Sequence, residues 1–484
     1  MVEPKPQIEE ELSLLQNENA ENDTTSFTLL NNLTPFSRPF PPEIVDIIIE
    51  FLLDEIPIRW TTDDGLPVPE TTSARLVCRA WNQQIVSNPA LWTRFFFKLD
   101  AGKLDWLRTQ TEMGELQMSR SGNLGLHLYI IGQRDALDTS VQIVQSFISF
   151  IQQHLHRWES ITTAGWVFGW LFAPLLVGPD DGRDQRSPLR TLNDSHCRQI
   201  ENNGSNPPES HFASLQSIRL CEPGNAVLSW NLPWTQLRDL SFTGKSSDLS
   251  QHLHILGQCV NLESLALKAE YCHEGIDRSP TQTSVVLPSL QSFKLSLEDS
   301  YQRYLLRYIL PRLVFPRLQS LELYESRAND HPPPHGTALY VLCQMVENSR
   351  CNLQELQVYL HDDEDGSVHQ EPGLIALLKR TQHTLRKLVV SSVGLGGAFL
   401  QDFDPERLEE FVVQEWLDAS EAELTRSLVL WLRNQRQREG ATERLQRMRT
   451  AFYHIDRELV PRDQWKKLFE EENPLPRVST NNQW

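Results

Sequence analysis

Leu215-Gln-Ser-Ile-Arg-Leu220, Leu237-Arg-Asp-Leu-Ser-Phe242, Leu262-Glu-Ser-Leu-Ala-Leu267, Leu290-Gln-Ser-Phe-Lys-Leu295 and Leu318-Gln-Ser-Leu-Glu-Leu323 obey one rule, apolar-x-x-apolar-x-apolar. Three more copies come after them, Leu353-Gln-Glu-Leu-Gln-Val358, Leu385-Arg-Lys-Leu-Val-Val390 and Leu408-Glu-Glu-Phe-Val-Val413. The fourth and sixth positions are two residues apart, so in a strand they point to one face while the third, fifth and seventh point to the other. One such strand cannot bury its apolar side. Stacked copies can, as a parallel sheet with a continuous core.

The first leucines stand at 215, 237, 262, 290, 318, 353, 385 and 408. Most of these intervals fall in or near the leucine-rich-repeat period of about 20 to 29 residues. Weaker copies precede them at Leu126 to Ile130 and at Trp158 to Ile161. Between copies, Leu249, Leu253 and Leu256 sit at helical spacing, as do Leu339, Leu342 and Val346, and Leu374, Leu377 and Leu378. After the last copy, Ser420 and Glu423 form a capping box, followed by an apolar face at Leu424, Leu428, Trp431 and Leu432. A further face at Leu445, Met448, Phe452 and Ile455 completes a predicted set of capping helices over 416–470, with a tail over 471–484.

Residues 1–38 carry Glu9, Glu10 and Glu11 and several Asn and Thr without sustained apolar periodicity, which predicts a flexible tail. Then Pro41 opens a helical stripe at Ile44, Ile47, Ile48, Phe51 and Leu52. A loop rich in Pro separates it from a second stripe at Ala74, Val77, Cys78, Trp81 and Ile85, broken by Asn88-Pro89 and closed by Leu91-Trp92. The order Phe40-Pro41-Pro42-Glu43-Ile44, Arg75-Leu-Val-Cys78-Arg79-Ala-Trp81 and Leu91-Trp92 resembles an F-box. Phe40 stands where that family usually has Leu, and the insertion between the helices is longer than in compact examples. The remainder resembles the leucine-rich-repeat branch of the same family, of irregular fungal type. The expected fold is therefore α/β: an F-box-like helical module over 39–98, a leucine-rich-repeat solenoid or horseshoe over 120–415, and the capping helices.

The resemblance implies a substrate-recognition subunit of a cullin-RING ubiquitin ligase. It would dock a Skp-family adaptor through Phe40, Pro41, Ile44, Ile47, Val77 and Trp81, and present an unknown client protein on the repeats. The rival reading is an interaction scaffold with no ligase link. Outward positions of the repeat strands give the expected client-binding residues: Arg219, Lys268, Lys294, Glu322, Tyr324, Tyr359 and Lys387. The convex helices, the region near Trp484 and the loop Asp362 to Asp365 are the other candidate surfaces.

Composition narrows the alternatives. A formal charge of -19 opposes general nucleic-acid binding, which draws on clustered cations. Seven widely spaced cysteines without a CxxC pair suggest neither disulfide framework nor zinc site, and point to the cytoplasm or nucleus. The N-terminus lacks the pattern of a signal peptide, and the apolar run from Ala164 to Val177 is too short for a membrane span. Gly244-Lys245-Ser246 fails as a phosphate loop because Asp239 stands where its first Gly belongs. Gly394-Leu-Gly396-Gly397 fails as a dinucleotide turn at Phe399, and His361 to Gly366 lacks the ligand spacing of a calcium loop. No cofactor, metal or catalytic residue is expected, and the chain reads as a binding protein and not an enzyme.

Overall fold

A computed structural model describes residues 79–99, 104–132, 141–165, 188–194, 212–221, 232–244, 249–269, 284–298, 306, 309–326, 337–361, 371–392, 400, 403–405, 407–414, 431 and 449–453. Two compact units are present. One comprises Met1–Thr93 with Glu115–Leu124, and the other Arg94–Gly114 with Gly125–Trp484.

In the first unit, helix α1 (Arg79–Ser87) ends before Asn88, whose side chain accepts from the Ala90 amide at 3.1 Å and starts a short 3-10 turn with Pro89 in its first position. That turn buries Leu91 and Trp92. The Trp92 indole donates to the Ile85 carbonyl at 2.7 Å, and the Arg120 guanidinium lies 4.4 Å from its ring centre. Arg120 ends helix α2 (Leu104–Arg120), after which Gly122 adopts a φ of 59°, the left-handed conformation that glycine tolerates.

The second unit is organised by one parallel sheet. Its strands are β1 (Arg94–Leu99), β2 (Leu126–Gly132), β3 (Trp158–Gly165), β4 (Thr191–Asp194), β5 (Ser217–Cys221), β6 (Asp239–Gly244) and β7 (Ser264–Ala269). A two-residue strand β8 (Val285–Val286) precedes β9 (Ser292–Glu298), and its partner β10 (Leu313–Val314) precedes β11 (Ser320–Ser326). The series closes with β12 (Glu355–His361), β13 (Lys387–Ser392), β14 (Glu410–Gln414) and β15 (Arg449–Tyr453). Apart from the β8–β10 pair, all thirteen strands lie side by side in chain order. Helices α3 (Val141–Gln153), α4 (Leu249–Gln258), α5 (Thr337–Ser349) and α6 (Glu371–Thr381) occupy some of the connections.

Register comes from the second position of the sequence motif. The Gln216 carbonyl accepts from both Arg238 and Asp239 amides, at 2.8 and 3.0 Å. The Arg238 carbonyl then accepts from Glu263 and Ser264, and the Glu263 carbonyl from Gln291 and Ser292. The same doubled acceptance continues through Gln291, Gln319, Gln354 and Arg386. Each copy thereby lines up with the next without slip. The fourth positions form one buried row, Ile218–Leu240–Leu265–Phe293–Leu321–Leu356–Leu388–Phe411, and the sixth positions from Leu220 to Val390 a parallel one.

This architecture corrects the expected one. Among the described residues there is no separate N-terminal helical module, no uniform solenoid of equivalent units and no pair of capping helices, but a mixed α/β fold on a single parallel sheet. Residues 94–98, assigned from sequence to the helical module, belong instead to the first strand, Arg94–Leu99, with Phe95, Phe97 and Leu99 buried and the residues between them more exposed. At the other end Phe452, expected on a capping helix, lies in β15 opposite Val413. Thr450, Phe452 and Tyr453 favour a strand once a parallel neighbour is available. The copies share a strand but differ in the connection after it: β6 leads to a helix, β5 to a 3-10 turn at Trp234–Gln236, and β9 to the short strand β10. Residues 40–78, which carry most of the F-box-like pattern, lie outside the described residues.

Phe293 is fully buried with its ring 5.2 Å from Phe315. Phe293→Ala is expected to destabilise the sheet unit by about 3–5 kcal/mol, read from the midpoint and slope of a urea denaturation curve.

Candidate functional site

The outward rows are set by the same register. One contains Arg219, Ser241, Ala266, Lys294, Glu322 and Gln357 on successive strands from β5 to β12. Its neighbour contains Thr243, Lys268, Ser296, Tyr324, Tyr359 and Ser391 on β6 to β13. Six of the residues expected from sequence to bind a client lie in these two rows, and Lys387 lies in a third, opposite Glu355 and Glu410.

Four of them form one contact cluster. Lys294 Nζ donates to Glu322 Oε1 at 3.2 Å and sits 4.5 Å from the centre of the Tyr324 ring. Tyr324 and Tyr359 stack at 4.2 Å with an interplanar angle of 9°, and the Tyr359 hydroxyl donates to Gln357 Oε1 at 3.0 Å. Tyr324 is thus covered on its faces by a cation and a second ring. Burial first, then its hydrogen bond to Glu322, pushes its phenol well above the ordinary range, so it is a neutral donor at physiological pH. Arg219 is exposed and Lys268 half-buried. Lys387 pairs with Glu410 at 3.4 Å, an exchange between partly exposed groups worth about 1 kcal/mol or less.

Sequence reasoning passed over a second aromatic pair on this face. Phe96 on β1 stacks on Tyr129 of β2 at 4.7 Å, and Phe96 remains 39% exposed. The signal was available in the alternation of Leu126 to Ile130, whose third-position analogue is His127. His127 Nδ1 lies 2.8 Å from Ser160 Oγ. Among the described residues no acceptor bonds the other imidazole nitrogen. At the far end the outward rule changes character, because Val389 and Val412 occupy fifth positions and are both buried.

A recess of about 400 Å³ opens where β5 to β9 begin, lined by second-position side chains Gln216, Arg238, Glu263 and Gln291 together with Asn261 and Arg317. It is polar, and the Arg238–Glu263 pair across it spans 3.3 Å between exposed groups. No group of three or more His, Cys, Asp or Glu among the described residues could hold a metal, and no described helix is long and apolar enough to cross a membrane. Of the expected adaptor contacts, Phe40, Pro41, Ile44, Ile47 and Val77 lie outside the described residues, while Trp81 falls within α1. No protein-family model matches the chain, and no curated protein matches it in sequence.

Two outcomes are expected from this geometry. In a double-mutant cycle on Tyr324→Ala and Tyr359→Ala, denaturation should return a coupling of about 0.5–1.5 kcal/mol for the stacked pair. Burial lowers the His127 pKa below its ordinary value, outweighing the nearby Glu159 carboxylate, which raises it. The unfolded chain therefore takes up this proton first. The contribution of neutral His127 is whole above about pH 6.5 and is lost as pH falls through its lower folded value. Between about pH 7.5 and pH 5 the melting temperature of His127→Gln should accordingly fall less than that of the parent chain, and an equal fall in both would show that His127 is not a source of the acid sensitivity.

Proposed function

We propose that this chain is a non-catalytic binding protein that holds a client on the outward face of its parallel sheet. The observation that supports the reading best is the cluster Lys294, Glu322, Tyr324 and Tyr359, four long side chains from adjacent strands gathered into one surface. Such a surface combines a rigid aromatic anchor with charged groups at low conformational cost, the combination favoured at protein interfaces. We further propose, from the order of residues between Phe40 and Trp92, that the chain serves as a substrate-recognition subunit of a cullin-RING ubiquitin ligase, docking a Skp-family adaptor. Its chemistry would then be proximity alone, a client held near a ubiquitin-charged enzyme. The proposed compartment is the cytoplasm or nucleus, a reading that free Cys259, Cys343 and Cys351 fit. A scaffold role without the ligase is the second reading, favoured by the strand at Arg94–Leu99 in place of the end of a helical module.

Co-purification with a Skp-family adaptor separates the two. The intact chain should retain the adaptor, and Pro41→Ala with Ile44→Ala should weaken retention with little change in the thermal melt. Undiminished retention, or none by the parent chain, leaves only the scaffold role. For the client face, Lys294→Glu with Tyr324→Ala should lose proximity-labelled clients that Arg436→Glu with Arg438→Glu keeps. The reverse pattern would place the client elsewhere.

A further inference from the structure

Charge on the outward face is divided along the sheet. Among the described side chains pointing outward from β5 to β9, Arg219, Lys268 and Lys294 are cationic and Asp239 is a carboxylate, with Glu298 at the last register position of β9. Burial, then the adjacent Glu263, pushes the Asp239 carboxyl above its ordinary value, partly opposed by Arg238. From β11 to β14 the balance reverses, with Glu322, Glu355 and Glu410 against Lys387. The boundary is the Lys294–Glu322 pair beside the stacked tyrosines. A basic region on a chain whose formal charge is -19 is a local feature that bulk acidity does not explain.

The rest of the basic half is short. Ser217, Ser241, Ser264, Ser292 and Ser296 surround the cations, so the long basic side chains stand above a low hydroxyl-rich floor. An extended backbone can approach such a floor and exchange hydrogen bonds with it. We propose that the occupant is an extended acidic peptide segment of the client, lying across the strands with its carboxylates on Arg219, Lys268 and Lys294 and an apolar side chain over the Tyr324–Tyr359 pair. This rests on the reading that the outward face binds the client. Arg219 and Lys294 are three strand steps apart, about 14–15 Å at ordinary strand spacing. An extended peptide covers that in about four to five residues, which sets the interval between its outer two acidic residues. Carboxylate on guanidinium and ammonium gives charge-assisted bonds with geometric preference, whereas a nucleic-acid backbone would be carried on into the glutamates of β11 to β14.

The test is a selection of displayed random peptides, about 12 residues long, on the full-length protein, followed by fluorescence anisotropy of the most enriched peptide after resynthesis. Enriched sequences should carry an excess of Asp and Glu, with a pair four or five residues apart. Binding should weaken as salt rises. Arg219→Glu with Lys268→Glu should weaken it at least about tenfold, and Arg108→Glu on α2 should leave it within about twofold, the usual range for charge contacts made or not made. Circular dichroism melts of all variants should stay within about 2 °C, as expected of surface substitutions. Enrichment of neutral or basic peptides, no enrichment, equal binding by the double variant, or displacement of the peptide by oligodeoxythymidine would each overturn the proposal. If Lys294→Glu with Tyr324→Ala still loses clients while no acidic peptide is enriched, the face binds clients and the chemistry assigned to them is wrong. If client labelling ignores that pair as well, the underlying reading fails.

Discussion

From β4 to β14 the sheet depends on one carbonyl per strand accepting two amides from the next copy. At Gln216, Arg238, Glu263 and their successors this doubled bond is made just before the strand proper begins. A slip of one residue would turn every side chain to the opposite face. With the register pinned there, leucine and phenylalanine at the fourth and sixth positions have one buried destination, and the third, fifth and seventh positions are left to chemistry other than packing. The connections are then free to differ. A helix comes after β11, a 3-10 turn after β5, and neither alters the alignment of the strands around it.

The same constraint explains the binding surface. Neighbouring outward residues on adjacent strands stand close enough for side chains to touch. Tyr324 and Tyr359 therefore stack because they are register partners, as do Phe96 and Tyr129. Lys294 and Glu322 pair for the same reason. These contacts add little stability where they are wet, and the two buried rows hold the fold without them. Their consequence is order: long side chains that would otherwise sample many rotamers are held by their neighbours, which reduces what must be immobilised when a partner arrives.

How much of this could be read beforehand differed with how local the signal was. The eight copies of the motif are all strands, because two apolar residues at a period of two need only the neighbouring copy to become a sheet. The outward positions of Arg219, Lys294 and Tyr324 came from the same period. Residues 94–98 fall within the helical module expected from sequence; Phe95, Phe96 and Phe97 are all apolar and hide the alternation that the structure reveals, with Phe96 outward. Arg449–Tyr453 was read as helix because Met448, Phe452 and Ile455 also fit a spacing of three to four. A parallel partner at β14, which no local pattern announces, decided for a strand. Val389 and Val412 are a different case. The rule placed them outward, which they are by register, yet both are buried.

The ends of the sheet carry the last consequence of the register. Inside the sheet each buried row is covered on both sides by the rows of the neighbouring strands, mostly leucine with Phe242 and Phe293 among them. Near both ends the structure gathers further rings. At β1 to β3, Phe95 meets Trp158 edge-on at 5.3 Å, Phe97 meets Phe147 at 4.8 Å, and the Trp158 indole is satisfied by the Ile151 carbonyl at 3.0 Å. Near β14, Trp431 packs against Phe411 at 5.8 Å and Phe403 at 6.2 Å, and its indole donates to the Phe403 carbonyl at 2.7 Å. An aromatic ring brings more apolar area than leucine and, in tryptophan, a donor that can bond a carbonyl left over from a helix or turn.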